Sequence, residues 1–261
     1  MVPIKSSQDL KKMQEGGKIL AAVLSTVLEN IKPGVSEKDL EEIAVSEIKK
    51  AGGAPSFKMV PGYKHALCIS TNDVIVHGIP GNYKFKEGDV VGIDCGVFYK
   101  GFHTDMSDSI IVRAIDVRTQ TIDFRLKQQE NDLFLDTGIK ALEEAIKEAK
   151  IGNRVGNISK KIQSFIEGAG YSVVKVLVGH GVGKELHEEP EIPGFLDKTI
   201  DRTPVLKEGM TIAIEVIYNK GKSGVEYGDD GWTIRTQDHQ ISGLFERTVA
   251  ITKNGPLILT N

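Results

Sequence analysis

The strongest constraint on the fold is an internal near-repeat. Lys86-Glu87-Gly88-Asp89-Val90-Val91-Gly92-Ile93-Asp94 is matched by Lys207-Glu208-Gly209-Met210-Thr211-Ile212-Ala213-Ile214-Glu215. In both, a polar glycine turn opens an apolar, β-prone run that meets a carboxylate six residues after the glycine. A carboxylate inside an apolar strand is costly unless something compensates it. Two such acids in matching places imply one shared partner, and a metal ion satisfies both most simply.

The repeat extends to helices. Leu20, Val23, Leu24, Val27, Leu28 and Ile31 recur at helical spacing and end at Lys32-Pro33-Gly34. Ser36 and Asp39 form a capping-box pattern ahead of a second stripe, Leu40, Ile43, Ala44 and Ile48, closed by Gly52-Gly53. Later, Leu142 and Ile146 lie on a helix ending near Gly152, and Ile158, Ile162 and Ile166 lie on the next, closed by Ala169-Gly170. The helix pairs are 118 residues apart and the strand runs 121. Near-equal offsets predict a duplication in which each half is two helices followed by antiparallel strands. The fold class is α/β (α+β), in one domain spanning 1–261 with halves of roughly 10–113 and 130–252. Residues 109–112, 173–178 and 248–252 are β-prone, 219–231 forms a hairpin excursion, and 114–132 is the least patterned stretch, linking the halves.

Composition narrows the function. At 261 residues, 40% hydrophobic and 26% charged, the chain is an ordinary globular protein. A net charge of -3 recommends neither nucleic acid nor an anionic membrane. No apolar run has the length of a membrane span, and Met1–Lys12 lacks the apolar core of a signal peptide. Two cysteines, Cys68 and Cys95, are too few for a disulfide scaffold and fit a reducing cytoplasm.

Further acids extend the metal reading. Asp105 and Glu246 each precede an apolar strand, giving each half a second acid, and His180 sits between glycines at the end of a β run. Four carboxylates, Asp94, Asp105, Glu215 and Glu246, cannot all ionise together without cations. Two divalent ions balance them, and four carboxylates with one imidazole suit Mn, Fe, Co or Zn. Such a pair lowers the pKa of bound water and polarises a carbonyl, which is hydrolytic chemistry. Other motifs fail. Gly179-His180-Gly181-Val182-Gly183 lacks the spacing and βαβ context of a dinucleotide loop. Gly221-Lys222-Ser223 lacks the first glycine of a P-loop, and neither a Gly-x-Ser-x-Gly elbow nor a His-Glu-x-x-His helix is present. Cys95 lies in an apolar run and is expected to be buried and inert. His65, His103 and His239 are expected to play structural or surface roles.

Two longer stretches carry a family resemblance. Residues 68–80, Cys68-Ile69-Ser70-Thr71-Asn72-Asp73-Val74-Ile75-Val76-His77-Gly78-Ile79-Pro80, and the run from Gly179 through His187-Glu188-Glu189-Pro190 resemble the signatures of type I methionine aminopeptidases. The five metal-type residues fall on that family's ligands in order. The resemblance runs from Leu10 to Ile258 and implies the pita-bread fold, a pseudo-twofold arrangement of helices packed on a curved antiparallel β-sheet. It also implies removal of an initiator methionine by dinuclear-metal hydrolysis.

Residue roles follow from the resemblance. Asp94 would chelate one metal, Asp105 and Glu246 would bridge both, and His180 and Glu215 would complete the second. Glu215 would also carry the proton of the bridging water. His77 would contact the scissile amide nitrogen and His187 the developing oxyanion. Tyr63, Cys68, Leu186 and Trp232 would form the methionine pocket, with His77 at its mouth. Implied partners are peptide or nascent-chain N-termini beginning with Met, with ribosome association a further family expectation; a monomer is the default. The chain resembles the short bacterial form. It departs from the family at Val216, where Pro is usual, at Leu244 and Arg247, where Gln and His are usual, and at Leu186, where Phe is common. Two alternatives remain open: a proline-directed aminopeptidase or dipeptidase of the same fold, and a non-catalytic binding relative.

Overall fold

The structure, a computed structural model, describes residues 2–113 and 121–261. Helices α1 (Ser7–Glu29) and α2 (Glu37–Lys50) lead into β1 (Ala54–Pro55), β2 (Leu67–Thr71), β3 (Val74–Val76), β4 (Val90–Tyr99) and β5 (Phe102–Ile111). Helices α3 (Ile122–Lys147) and α4 (Val155–Gly168) lead into β6 (Ser172–Val173), β7 (Val178–Gly181), β8 (Glu188–Pro193) and β9 (Thr211–Asn219). The chain finishes with β10 (Val225–Tyr227), β11 (Ile234–Thr236), β12 (Ser242–Thr252) and β13 (Gly255–Ile258).

The main sheet runs β1-β4-β5-β12-β9-β7-β8, with β2 on β4, β6 on β9 and β13 on β12. Its pairings are antiparallel. Helices cover one face: α1 lies against β4 and β5, and α3 against β9 and β12. Leu20, Leu24, Leu40 and Ile48 close one core over Leu67, Ile93 and Val97. Phe134, Leu142, Ile158 and Ile162 close the other over Ile212, Ile214 and Phe245. Both long helices cross tightly at a glycine. A Cβ at Gly17 would meet the Leu259 carbonyl oxygen at 2.1 Å, and one at Gly138 would meet Phe245 and the Tyr218 hydroxyl at 2.6 Å.

The same backbone bonds recur in both halves. Gly34 N–H donates to the Phe85 oxygen (2.9 Å), and Gly152 N–H to the Leu206 oxygen (3.1 Å). Gly88 N–H donates to the Val112 oxygen (2.8 Å), and Gly209 N–H to the Ile251 oxygen (2.9 Å). Strand β1 pairs Ala54 with Phe98, and β6 pairs Ser172 with Asn219. The glycine turns of the near-repeat, Gly88 and Gly209, adopt φ of +89° and +82°, a region that only glycine enters without strain.

β5 and β12 meet at a short seam, with Glu246 opposite Ser107 and Arg247 opposite Met106. In the strand pairs, Ser107 stands opposite Asp94 and Glu246 opposite Glu215, so Ser107 and Glu246 are equivalent positions facing each other on the axis. Beyond them, side chains replace ladder bonds in matching fashion. The Thr248 hydroxyl accepts from Asp105 N–H (2.9 Å) and donates to the Asp105 carbonyl (2.8 Å). The Ser109 hydroxyl accepts from Leu244 N–H (3.0 Å) and donates to the Leu244 carbonyl (2.9 Å). Arg247 pairs bidentately with Asp108 across the seam at 3.0 and 3.1 Å.

Three expectations need correction. Strands β5 and β12 begin at Phe102 and Ser242, so Asp105 and Glu246 lie inside strands rather than ahead of them. The run 173–178 is broken, with residues 174–177 outside β6 and β7. The part of 114–132 from Ile122 onward is helix, capped by the Thr121 hydroxyl accepting from Phe124 N–H; residues 114–120 lie outside the described residues. In that first half of α3, Gln128 and Asn131 are buried while Ile122, Leu126 and Leu133 are exposed, so the usual apolar stripe is missing.

Candidate metal centre and active site

Five polar residues converge from five neighbouring strands. Asp94 is on β4, Asp105 on β5, Glu246 on β12 and Glu215 on β9, and His180 is on the flanking β7. Strand alternation makes this possible, because Glu215 and Glu246 stand directly opposite each other and turn to the same face. The two second acids are not equivalent, however. Asp105 pairs with Gly96 and lies two residues before Ser107, the position that matches Glu246. Donor atoms of Asp105, His180 and Glu246 lie within 4.8 Å of one another. His180 Nε2 stands 3.5 Å from Glu215 Oε1 and 4.0 Å from Asp105 Oδ2.

The electrostatics demand a positive charge here. Burial pushes Asp94 up to about 7. Burial first, then the Asp94 and Glu215 charges, raises Asp105 well above the carboxylate range. Burial and Asp94 do the same to Glu215, and burial with Asp105, Glu215 and Asp94 to Glu246. Burial, with His187 nearby, holds His180 down at about 4, so its ring is neutral. Nδ1 of that ring lies 2.7 Å from the Gly181 carbonyl; the proton on Nδ1 donates there and leaves the Nε2 lone pair facing the carboxylates. Asp94 Oδ1 and Glu246 Oε1 are buried without a hydrogen-bond partner. Orphaned carboxyl oxygens beside a neutral imidazole with a free lone pair fit divalent metal ions.

Above this floor is a cavity of about 160 Å³. All the residues expected at the site line it: Tyr63, Cys68, His77, Asp94, Asp105, His180, Leu186, His187, Glu215, Trp232 and Glu246. Tyr63 donates its hydroxyl to the Leu67 carbonyl (2.8 Å) and packs edge-on against Trp232, with ring centres 5.0 Å apart. It therefore offers its ring rather than its hydroxyl to the cavity. His77 has φ of +56°, uncommon for a side chain of this size, which holds its imidazole at the wall. Burial lowers the pKa of both His77 and His187, the former also through His187, so both rings favour the neutral form. The rings of His180 and His187 are 4.4 Å apart.

The cavity also has walls that sequence reasoning did not name: Phe57, Val60, Val76, Leu177 and Ile217. A two-residue strand period would have found Ile217 from Glu215, as it places Leu244 beside Glu246. Of the remaining residues, Cys68 and Cys95 are free buried thiols. His103 bonds Ser56 Oγ at 2.9 Å, and His239 bonds Asp73 at 3.2 Å.

A cluster of buried carboxylates and one imidazole beneath an apolar cavity, on a duplicated sheet, defines a metal-dependent hydrolase. Residues 11–238 match the family described as metallopeptidase family M24. The chain is 40% identical to a methionine aminopeptidase of Clostridium perfringens over 260 residues, covering 100% of this chain and 99% of that protein. It is 38% identical to methionine aminopeptidase 1 of Bacillus subtilis, covering 100% and 99%. The crystal structure of a Thermotoga maritima methionine aminopeptidase superposes with a TM-score of 0.90 at 39% identity, covering 100% of both chains. A prolidase from Pyrococcus furiosus shares the fold at a TM-score of 0.75 and 24% identity, with this chain covering 65% of its length. The chain belongs to metallopeptidase family M24, in its methionine aminopeptidase branch, and has the pita-bread fold.

Proposed function

We propose that this protein hydrolyses the peptide bond after an N-terminal methionine, using two divalent ions held by Asp94, Asp105, His180, Glu215 and Glu246. One observation carries the reading: a cavity of about 160 Å³ ends on all five donors and has room for about one side chain. Burying a methionine side chain against Tyr63, Cys68, Leu186 and Trp232 is worth ~1.5–3 kcal/mol, and its sulfur suits the aromatic edges.

When bound, the ions supply a water of lowered pKa and polarise the substrate carbonyl. The protein's own groups do the rest. Asp105 and Glu246, from the two sides of the seam, would hold the ions together with Asp94, His180 and Glu215. Glu215 takes the proton of the attacking water and returns it to the leaving amine. His77 orients the scissile amide, and His187 donates to the oxygen that gains charge. The whole chain acts as one catalytic domain, as a monomer in the cytoplasm, where Cys68 and Cys95 stay reduced and nascent chains leave the ribosome.

The test is hydrolysis of Met-Ala-Ser against Ala-Pro-Ala by protein loaded in turn with Mn, Fe, Co or Zn. Release of methionine with at least one metal, and no cleavage of Ala-Pro-Ala, is expected. Preference for Ala-Pro-Ala would move the protein to the proline-directed peptidases. Failure on both peptides with metal bound would make it a non-catalytic relative.

A further inference from the structure

A buried lysine near the site has no part in the chemistry above. Lys5, just ahead of α1, donates its backbone N–H to the Gly209 carbonyl at 2.8 Å. Its side chain turns inward and is 4% exposed, and its ammonium forms a close ion pair with Glu188 Oε2, itself 6% exposed. Glu188 follows His187 in the chain. Its other oxygen, Oε1, accepts the backbone N–H groups of Lys184 (2.8 Å) and Glu185 (3.3 Å). Gly183 donates to the Glu185 carbonyl at 3.0 Å and accepts from His103 N–H at 2.7 Å. The loop carrying Leu186 and His187 is thus folded around one carboxylate, and Lys5 supplies the opposite charge.

We propose that Lys5 is a positioning residue for His187, acting through Glu188. The glycine-rich motif shows what the arrangement requires. A Cβ at Gly183 would come within 2.3 Å of Lys5 Cε, 2.6 Å of its Nζ and 2.7 Å of Glu188 Oε1. A Cβ at Gly181 would meet the Glu189 carbonyl oxygen at 2.2 Å. Gly183 therefore makes room for the lysine, and Gly181 lets β7 and β8 close together just before the loop. A buried ion pair contributes little net stability; its best-attested use is to fix geometry. The fixed geometry here is the imidazole that must meet a developing charge, where small displacements cost much rate.

Two substitutions test this in metal-loaded protein. Glu188→Gln keeps an oxygen for the two loop N–H groups and removes the charge, while Lys5→Met keeps the length and removes the ammonium. The kinetic arm rests on the aminopeptidase reading: with Met-Ala-Ser, kcat falls ~10–100-fold while KM and metal affinity stay within about twofold of the parent. The double variant is no worse than the poorer single one, because both break the same unit. If one variant does not fold, the other decides. Unchanged kcat in a folded variant, or a loss of kcat that follows loss of metal, overturns the proposal. Ring-nitrogen NMR on the same samples is independent of substrate. A moved His187 signal with an unmoved His239 signal supports positioning even if the parent cleaves no methionyl peptide. An unmoved His187 signal overturns it.

Discussion

In the first half of the molecule Ser70 pairs with Gly92, two residues before Asp94; in the second His180 pairs with Ala213, two residues before Glu215. The scaffold positions correspond and the side chains do not. Ser107 and Glu246 face each other across the axis as equivalents, and one is a hydroxyl and the other a carboxylate. Asp108 and Arg247 are equivalents that became an ion pair. Asp105 corresponds to Leu244, so one half gives a ligand-type acid where the other gives an apolar wall. Duplication supplies strands that deliver side chains to one axis. The site itself arises from the differences: two groups meet on the seam, and a single imidazole stands to one side.

The largest test of that asymmetry is at Glu215. If only this half moves protons, Glu215→Gln lowers kcat by ~10²–10⁴-fold and added metal does not restore it. Asp94→Asn, its counterpart, is partly rescued by excess metal. Rescue of both to the same extent, followed by steady-state kinetics with increasing Mn, would make the halves equivalent. Next is His180→Ser, which copies Ser70. Calorimetric metal affinity should fall by at least ~10–100-fold, and an unchanged affinity would remove the imidazole from the ligand set.

Metal removal tests the shared charge of the two halves. Without metal, Asp94, Asp105, Glu215 and Glu246 all have raised folded-state pKa values, through burial first and then, for the last three, neighbouring carboxylate charge. An acid with a raised pKa contributes stability that is fully present below its unfolded value and lost as pH rises through the folded value. For Asp94 that loss runs from about 4 up to about 7 and beyond. Between pH 6.5 and 8.5, the lowered pKa values of His77, His180 and His187 act in the opposite sense, because their unfolded imidazoles are still half-protonated near pH 6.5, and they offset part of that loss at the low end of the window. Chelated protein should therefore fall in Tm as pH rises across that window. Loaded protein should hold nearly level. Parallel curves by differential scanning calorimetry would contradict the charge assignment.

The smallest effects are expected at the seam. Arg247→Ala removes a largely buried bidentate pair and should cost ~1–3 kcal/mol in urea unfolding. Arg247→His with Leu244→Gln brings in the residues usual in the family. It should shift kcat or metal affinity by up to ~10-fold; no change in either would make these departures neutral.

Much of this was legible in the sequence because repetition is a strong signal. The glycine turns, the helix caps and the five polar residues are all marked by residue type and spacing. The pseudo-symmetric register was less so. Asp105 and Glu246 look like a matched pair from their places ahead of apolar runs, and strand pairing sets them two residues out of step. The start of α3 was hidden because polar Gln128 and Asn131 face inward there. The pocket walls Leu177 and Ile217 carry no chemical mark and are found only through the faces of their strands or the closure of the fold. Lys5 gave no local sign at all, since its partner lies 183 residues away.

The central claim is that two unlike halves close one dinuclear site across their seam. Calorimetric titration of metal-free protein with Mn at pH 7.5 tests it most directly. The account predicts two ions per chain in the parent and loss of the tighter event in both Asp105→Asn and Glu246→Gln, one variant from each side of the seam. No binding in the parent, or full binding after either substitution, would contradict it.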